Sequence, residues 1–265
     1  MLISALLSAT LVLYVASALF MLQQVFKPRS SLTAISLVTA VMALVCHGGL
    51  IYLRLAGDEF DHLNVSSSLS IVAWLIALLS LFRVQQSNSL LLKPVIYLFA
   101  ALSALLLVLT PADLGAYIGF GHGLVIHIVL SLVAYGVLAL ATLYAIQASY
   151  INYLLKTKKT SGLFKQLPPL MNIERYFFRL LSAGTLLLIL AIASGFAFLD
   201  DMFAQNQAHK TILAMAAALV YIITYLTHKA TGLRGKPVMV LSILGTVLLT
   251  LGYFGSRFVK DIILS

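Results

Sequence analysis

Charged residues are scarce in this sequence: they make up 9% of its 265 residues, whereas apolar residues make up 62%. A soluble domain carries about 25% charged residues, because its surface must stay in contact with water. The chain also has a single cysteine, Cys46, which excludes an intramolecular disulfide, a cysteine-based zinc site and an iron–sulfur cluster. The composition therefore predicts an integral membrane protein without a soluble domain.

The sequence also lacks the patterns that usually carry catalysis. It contains no nucleophile paired with a base, no glycine-rich phosphate loop and no pair of carboxylates. Its net charge of +9 is spread over short segments between apolar runs, so no cluster could follow a nucleic-acid backbone. We therefore expect a non-enzymatic protein whose surroundings are the lipid bilayer, with no nucleic-acid partner.

Long apolar runs dominate the chain. A helix needs roughly 20 apolar residues to cross the hydrocarbon layer, and the runs do not alternate in polarity as the strands of a barrel do. The sequence predicts an all-α, polytopic membrane helix bundle that forms one transmembrane domain over residues 1–265. Its eight expected transmembrane helices are 2–25, 32–55, 67–84, 92–110, 124–150, 178–199, 211–228 and 238–256.

The basic residues are distributed unequally between the two sets of loops. One set holds 13 of the 17 lysines and arginines, and the opposite set holds the other 4. Loops rich in lysine and arginine face the cytoplasm. With eight transmembrane helices, this asymmetry predicts that both termini lie outside, and the expected location is the bacterial inner membrane.

Two histidines lie inside predicted transmembrane helices at similar depth. His47 precedes Arg54 by about seven residues, or roughly 10 Å along a helix, and His127 lies about one turn inside the same outer boundary. Neutral imidazole is a common metal ligand, and two facing imidazoles can hold the iron of a porphyrin. The sequence predicts His47 and His127 as metal ligands, with Arg54 placed to pair with a propionate. The alternative is that each histidine hydrogen-bonds a neighbouring helix.

Several short segments follow one another in a recognisable order. In the second helix His47 is followed by Arg54-Leu-Ala-Gly57-x-x-Phe60, and the fifth helix contains His127-x-x-x-Ser131-x-x-x-Tyr135. His228 ends the seventh helix and is followed by Gly232-Leu-Arg-Gly235. Together these segments resemble the cytochrome c assembly family of polytopic membrane proteins, which handle haem.

The resemblance implies a haem-binding or haem-handling inner-membrane protein, with haem as the cofactor and another membrane protein as a partner. In the family's inner site, the residues that match His47 and His228 act together. His228 is therefore a further candidate for cofactor binding, and it competes with His127 as the partner of His47.

One part of the family pattern is missing. Members that attach haem carry a tryptophan-rich outer segment between the sixth and seventh helices, whereas residues 199–210 contain no tryptophan here. We therefore expect a protein that does not join haem to an apocytochrome by itself. The alternatives are a transporter, or an accessory subunit of a transport system, that has lost haem binding, and a structural partner that stabilises another membrane protein.

Overall fold

The computed structural model of the protein describes residues 1–26, 30–59, 62–82, 92–111, 116–117, 122–157, 169–199 and 208–255. Phe60, most of the segment 199–210 and the residues after 255 lie outside these ranges. The chain divides into two compact units, Met1–Gly119 with Ser161–Pro168, and Phe120–Thr160 with Pro169–Ser265.

The first unit contains four helices and a short ladder. Its helices are α1 (Leu2–Phe26), α2 (Ser30–Ala56), α3 (Val65–Leu81) and α4 (Leu92–Leu109). The ladder is antiparallel and joins β1 (His62–Leu63) to β2 (Ala116–Tyr117), with His62 opposite Tyr117. Helix α1 packs on α2 and α4, and α3 packs on α4.

Small residues let the helices of the first unit approach closely. Ala43 in α2, Ala77 in α3 and Ala104 in α4 are fully buried. Helices in a membrane associate through close packing and hydrogen bonds, because lipid tails are as apolar as leucine side chains. The buried alanines are therefore the expected contact residues of this bundle.

Helix α3 begins at a well-defined cap. The side chain of Asn64 accepts a hydrogen bond from the backbone N–H of Ser67, and the Ser67 hydroxyl accepts one from the backbone N–H of Asn64. This reciprocal pair satisfies two N–H groups that a helix start leaves without partners. The cap fixes where α3 starts, and hence where its buried Ser70 lies.

The second unit contains α5 (His122–Lys156), α6 (Leu170–Phe198), α7 (Ala208–Thr231) and α8 (Lys236–Thr250), followed by a π-helical turn, Leu251–Gly255. Helix α5 packs most extensively on α6, and α7 packs on α8. A β-carbon added at Gly184 would lie 2.7 Å from the fully buried side chain of Leu138. Only glycine allows α5 and α6 to approach this closely.

The expected eight helices are confirmed within the described residues. Seven of them are long and apolar enough to cross a membrane, and the shorter one is α3, with 17 residues. Helices α5 and α6 extend furthest beyond the predicted spans: α5 continues to Lys156, and α6 begins at Leu170 rather than near residue 178. The added turns carry the polar residues Glu174 and Arg175, because a helix can continue beyond the hydrocarbon layer into water.

Candidate functional site

His47 lies at the centre of the first unit. It is fully buried, and both nitrogens of its ring are within hydrogen-bond distance of hydroxyl groups. Nδ1 is 3.2 Å from the Tyr14 hydroxyl, and Nε2 is 2.8 Å from the Ser70 hydroxyl. The Tyr14 ring also stacks on Tyr97, with centroids 5.8 Å apart. This cluster joins all four helices of the unit.

The contacts of His47 occupy both of its possible ligand atoms. A histidine that binds a metal uses one nitrogen for the metal and donates the N–H of the other to a protein acceptor. His47 could bind iron only after one of its two hydroxyl partners moved away. Its described geometry matches the hydrogen-bonding alternative of the sequence analysis, and its role as a ligand stays a prediction.

Arg54 lies in the last turn of α2 and contacts the end of α4. Its guanidinium donates a hydrogen bond to the backbone carbonyl of Thr110, just beyond the last residue of α4. The loop after α2 also contains an ion pair between His62 and Asp58, 3.0 Å apart. Arg54 therefore already has a structural partner, and pairing with a propionate stays a prediction.

His127 lies in the second unit, where α5 faces α6. Its Nδ1 is 2.9 Å from the carbonyl oxygen of Ala191 and 3.2 Å from the Ser194 hydroxyl. That hydroxyl donates its own proton to the Ala191 carbonyl. Both neighbours of Nδ1 therefore act as acceptors, so in the neutral ring Nδ1 carries the proton and Nε2 has the lone pair.

A small cavity lies beside His127. Its volume is about 160 Å³, and most of its wall is apolar. Polar groups of Ser131, Tyr135 and Lys210 also line it, and the π-helical turn contributes Gly252 and Tyr253. Binding sites for drug-sized ligands measure about 300–1,000 Å³, so this cavity is too small for a porphyrin.

His228 lies near the end of α7 and is held from two sides. Its Nδ1 donates to the carbonyl oxygen of Leu233 at 2.8 Å, so in the neutral ring Nε2 is again the atom with the lone pair. The loop after α7 turns back so that the Leu233 carbonyl reaches His228. Gly232 and Gly235 allow this turn, because their φ angles of 68° and 79° lie in the left-handed region that favours glycine. The imidazole stacks on Phe178 of α6, with centroids 3.4 Å apart.

A larger cavity opens beside His228. Its volume is about 480 Å³, within the range of ligand sites. Four basic residues and one acidic residue line it: Arg175, Arg179, Lys229, Arg234 and Glu174. Within the described ranges, none of these four cations has a carboxylate within 4 Å, so the cavity favours an anionic ligand.

The two cavities of the second unit lie at opposite ends of α7. Lys210 lines the smaller cavity and His228 the larger one, and about 18 residues of helix, roughly 27 Å, separate them. His127 and His228 therefore cannot ligate the same iron atom.

One protein family matches nearly the whole chain. The model of the family described as "Cytochrome C assembly protein" matches residues 3–264. This chain belongs to that cytochrome c assembly family. It is a multi-pass inner-membrane protein, as the relatives and the seven membrane-spanning helices indicate.

Within this family, the chain is similar to "Inner membrane protein YpjD" of Escherichia coli K12. The two are 32% identical over 255 residues, which cover 96% of this chain and 97% of the relative. It is also 33% identical over 141 residues to a 28.8 kDa protein of the nifR3-like 5′ region of Azospirillum brasilense, with 52% of each chain covered. No solved structure matches the chain.

The sequence identified the histidines of this family member but not the groups that orient them. His127 was predicted, whereas its acceptor Ala191 is an ordinary apolar residue of α6 that no pattern distinguishes. Phe178, which stacks on His228, is likewise one of the 14 phenylalanines of the chain. The Gly232-Leu-Arg-Gly235 segment was a usable indication, since its two glycines allow the turn that brings Leu233 back to His228.

Proposed function

We propose that this protein binds haem in the membrane and passes it on without attaching it covalently. We further propose that the cavity beside His228 is its haem site. The observation that carries this proposal is the combination, in one cavity, of a histidine whose Nε2 can accept a ligand and four cations that have no carboxylate partner among the described residues.

The charge of the cavity suits the edge of a porphyrin. Haem carries two propionates, and arginine binds carboxylates through paired hydrogen bonds. Arg175 and Arg179 lie one turn apart on α6, on the side that faces the cavity, and Arg234 lines it from the loop after α7. These three residues would hold the propionates, whereas Phe178 and Leu186 provide apolar contact for the ring.

The orientation of His228 suits an axial ligand. Ligating histidines almost always donate their second ring N–H to a carbonyl, carboxylate or water, which fixes the tautomer. The Leu233 carbonyl has that position here. Bound haem would supply iron, and the protein's part would be to fix the tautomer of the neutral ring that leaves the lone pair on Nε2 and to hold the imidazole against Phe178.

An absorption titration tests this proposal. Full-length protein in detergent is expected to give an intense Soret band when haem is added. His228→Leu should reduce haem affinity about tenfold or more or shift the band, because the axial ligand is lost. The double variant Arg175→Gln and Arg179→Gln should weaken binding by about tenfold as well, because charge-assisted hydrogen bonds are lost.

His209→Gln is the matched control, because His209 is an exposed histidine at the other end of α7. It should leave the titration unchanged. Absence of any Soret band in the wild-type protein would refute haem binding and favour the transport or accessory role. If His47→Leu and His127→Leu both lose haem while His228→Leu keeps it, the pair predicted from the sequence is the correct one.

A further inference from the structure

The volume of the cavity beside His127 suits a small ligand. Its volume of about 160 Å³ is close to that of an apolar cavity of roughly 150 Å³ that binds benzene in another protein. A single six-membered ring fits such a space. The aliphatic wall, which includes Leu132, Leu188 and Leu249, suits the faces of an aromatic ring.

One nitrogen of His127, a residue that lines the cavity, can accept a hydrogen bond from a ligand. In the neutral ring Nδ1 carries the proton, because the groups around it are acceptors. Nε2 has no hydrogen bond from the described residues, so a ligand hydroxyl can donate to it.

The other polar groups of the wall can bind a second oxygen atom of the ligand. The Tyr135 hydroxyl lies 2.8 Å from the Thr250 hydroxyl, so it keeps one further hydrogen-bonding position. The Lys210 side chain adds positive charge to the same wall. The last element of the wall is the π-helical turn Leu251–Gly255, and such wide turns occur frequently at functional sites.

We propose that this cavity binds a single six-membered ring bearing a hydroxyl group, with the hydroxyl donating to Nε2 of His127. Two sources share this chemistry: the headgroup of a membrane quinol and a soluble phenol. The site lies at the opposite end of α7 from the proposed haem cavity, and the inference does not depend on haem binding there.

Two measurements on the full-length protein in detergent test the proposal and separate the sources. Solvent extraction of the purified protein, followed by mass spectrometry, is expected to detect bound quinone if the source is the membrane. Calorimetric titration of the extracted protein with hydroquinone should show binding whichever source applies. The dimethyl ether of hydroquinone, which has the same ring but no hydroxyl, should bind about tenfold more weakly.

Variants test whether His127 causes the preference for hydroquinone over its dimethyl ether. His127→Leu should abolish the difference between hydroquinone and its dimethyl ether, and Ser131→Leu should block both ligands by filling the cavity. His122→Gln, an exposed histidine at the start of the same helix, is the control and should behave as wild type. The proposal is wrong if hydroquinone does not bind, or if it binds no better than its ether.

Discussion

Three membrane histidines of this chain differ in the partners of their ring nitrogens, and those partners decide which nitrogen can receive a ligand. His127 and His228 each donate Nδ1–H to a backbone carbonyl, which can only accept. His47 lies between two hydroxyls, which can donate or accept. The first two present a defined lone pair, whereas His47 serves as a hydrogen-bonded connection between helices.

This difference predicts that His47 stabilises the first unit. Ser70→Ala removes the partner of Nε2 and should lower the free energy of unfolding by about 1 kcal/mol. His47→Leu leaves both the Tyr14 and Ser70 hydroxyls without their histidine and should cost more, about 2 kcal/mol. Denaturant unfolding of the detergent-solubilised protein measures both changes.

Ser103→Ala is the matched control for Ser70→Ala. Ser103 is a buried serine of the same unit, but its hydroxyl donates only to the Ala100 carbonyl of its own helix. Its loss should change stability little. If Ser70→Ala leaves the stability unchanged and His47→Leu loses the Soret band, His47 is a haem ligand rather than a connection between helices.

At the scale of the elements, close contact between helices replaces the hydrophobic effect that stabilises soluble proteins. Gly184 lies where α6 meets Leu138 of α5, and a β-carbon there would come within 2.7 Å of that side chain. Leu138 is fully buried among neighbouring side chains. The position of α6, and with it the orientation of His127 through Ala191, depends on this contact.

Gly184→Ala is therefore expected to destabilise the second unit by about 1–3 kcal/mol through overpacking. Gly49→Ala is the matched control, because a β-carbon at that helical glycine meets no atom within 4 Å. Alanine is the better helix former, so this control should be neutral or slightly stabilising. Thermal unfolding followed in parallel compares the two; equal melting temperatures would contradict the close α5–α6 packing.

At the scale of the whole molecule, the number of membrane crossings depends on α3. Its 17 residues extend for roughly 25 Å, slightly less than the hydrocarbon thickness of about 30 Å. If α3 crosses, the chain spans the membrane eight times and both ends lie on one side. If it does not, seven crossings put the ends on opposite sides.

We expect eight crossings with both termini outside, since 13 of the 17 basic residues then face the cytoplasm. Reporter fusions at Lys158 and at Ser265 should report the cytoplasm and the outer compartment respectively, and a reporter before Met1 should agree with the one at Ser265. Reporters on different sides at the two ends would show that α3 does not span the membrane.

Much of this protein follows from its sequence alone. The scarcity of charge and the long apolar runs determine a helical membrane protein, because unpaired backbone groups are not tolerated in lipid. Histidines are so few that the sequence could also name His47, His127 and His228 as the residues to examine. The third apolar run predicted α3 within a few residues of its start, which the cap at Asn64 sets at Val65.

The hydrogen-bond partners of these histidines were decided by the tertiary structure. Nδ1 of His127 contacts the Ala191 carbonyl and the Ser194 hydroxyl, which lie 64 and 67 residues further along the chain. Neither residue belongs to a distinctive sequence pattern. Cavity volume depends on several helices at once, so no local pattern distinguishes about 160 Å³ beside His127 from about 480 Å³ beside His228. The sequence indicated which histidines to examine; the packing of distant helices decided which partners their ring nitrogens have and how large the neighbouring cavities are.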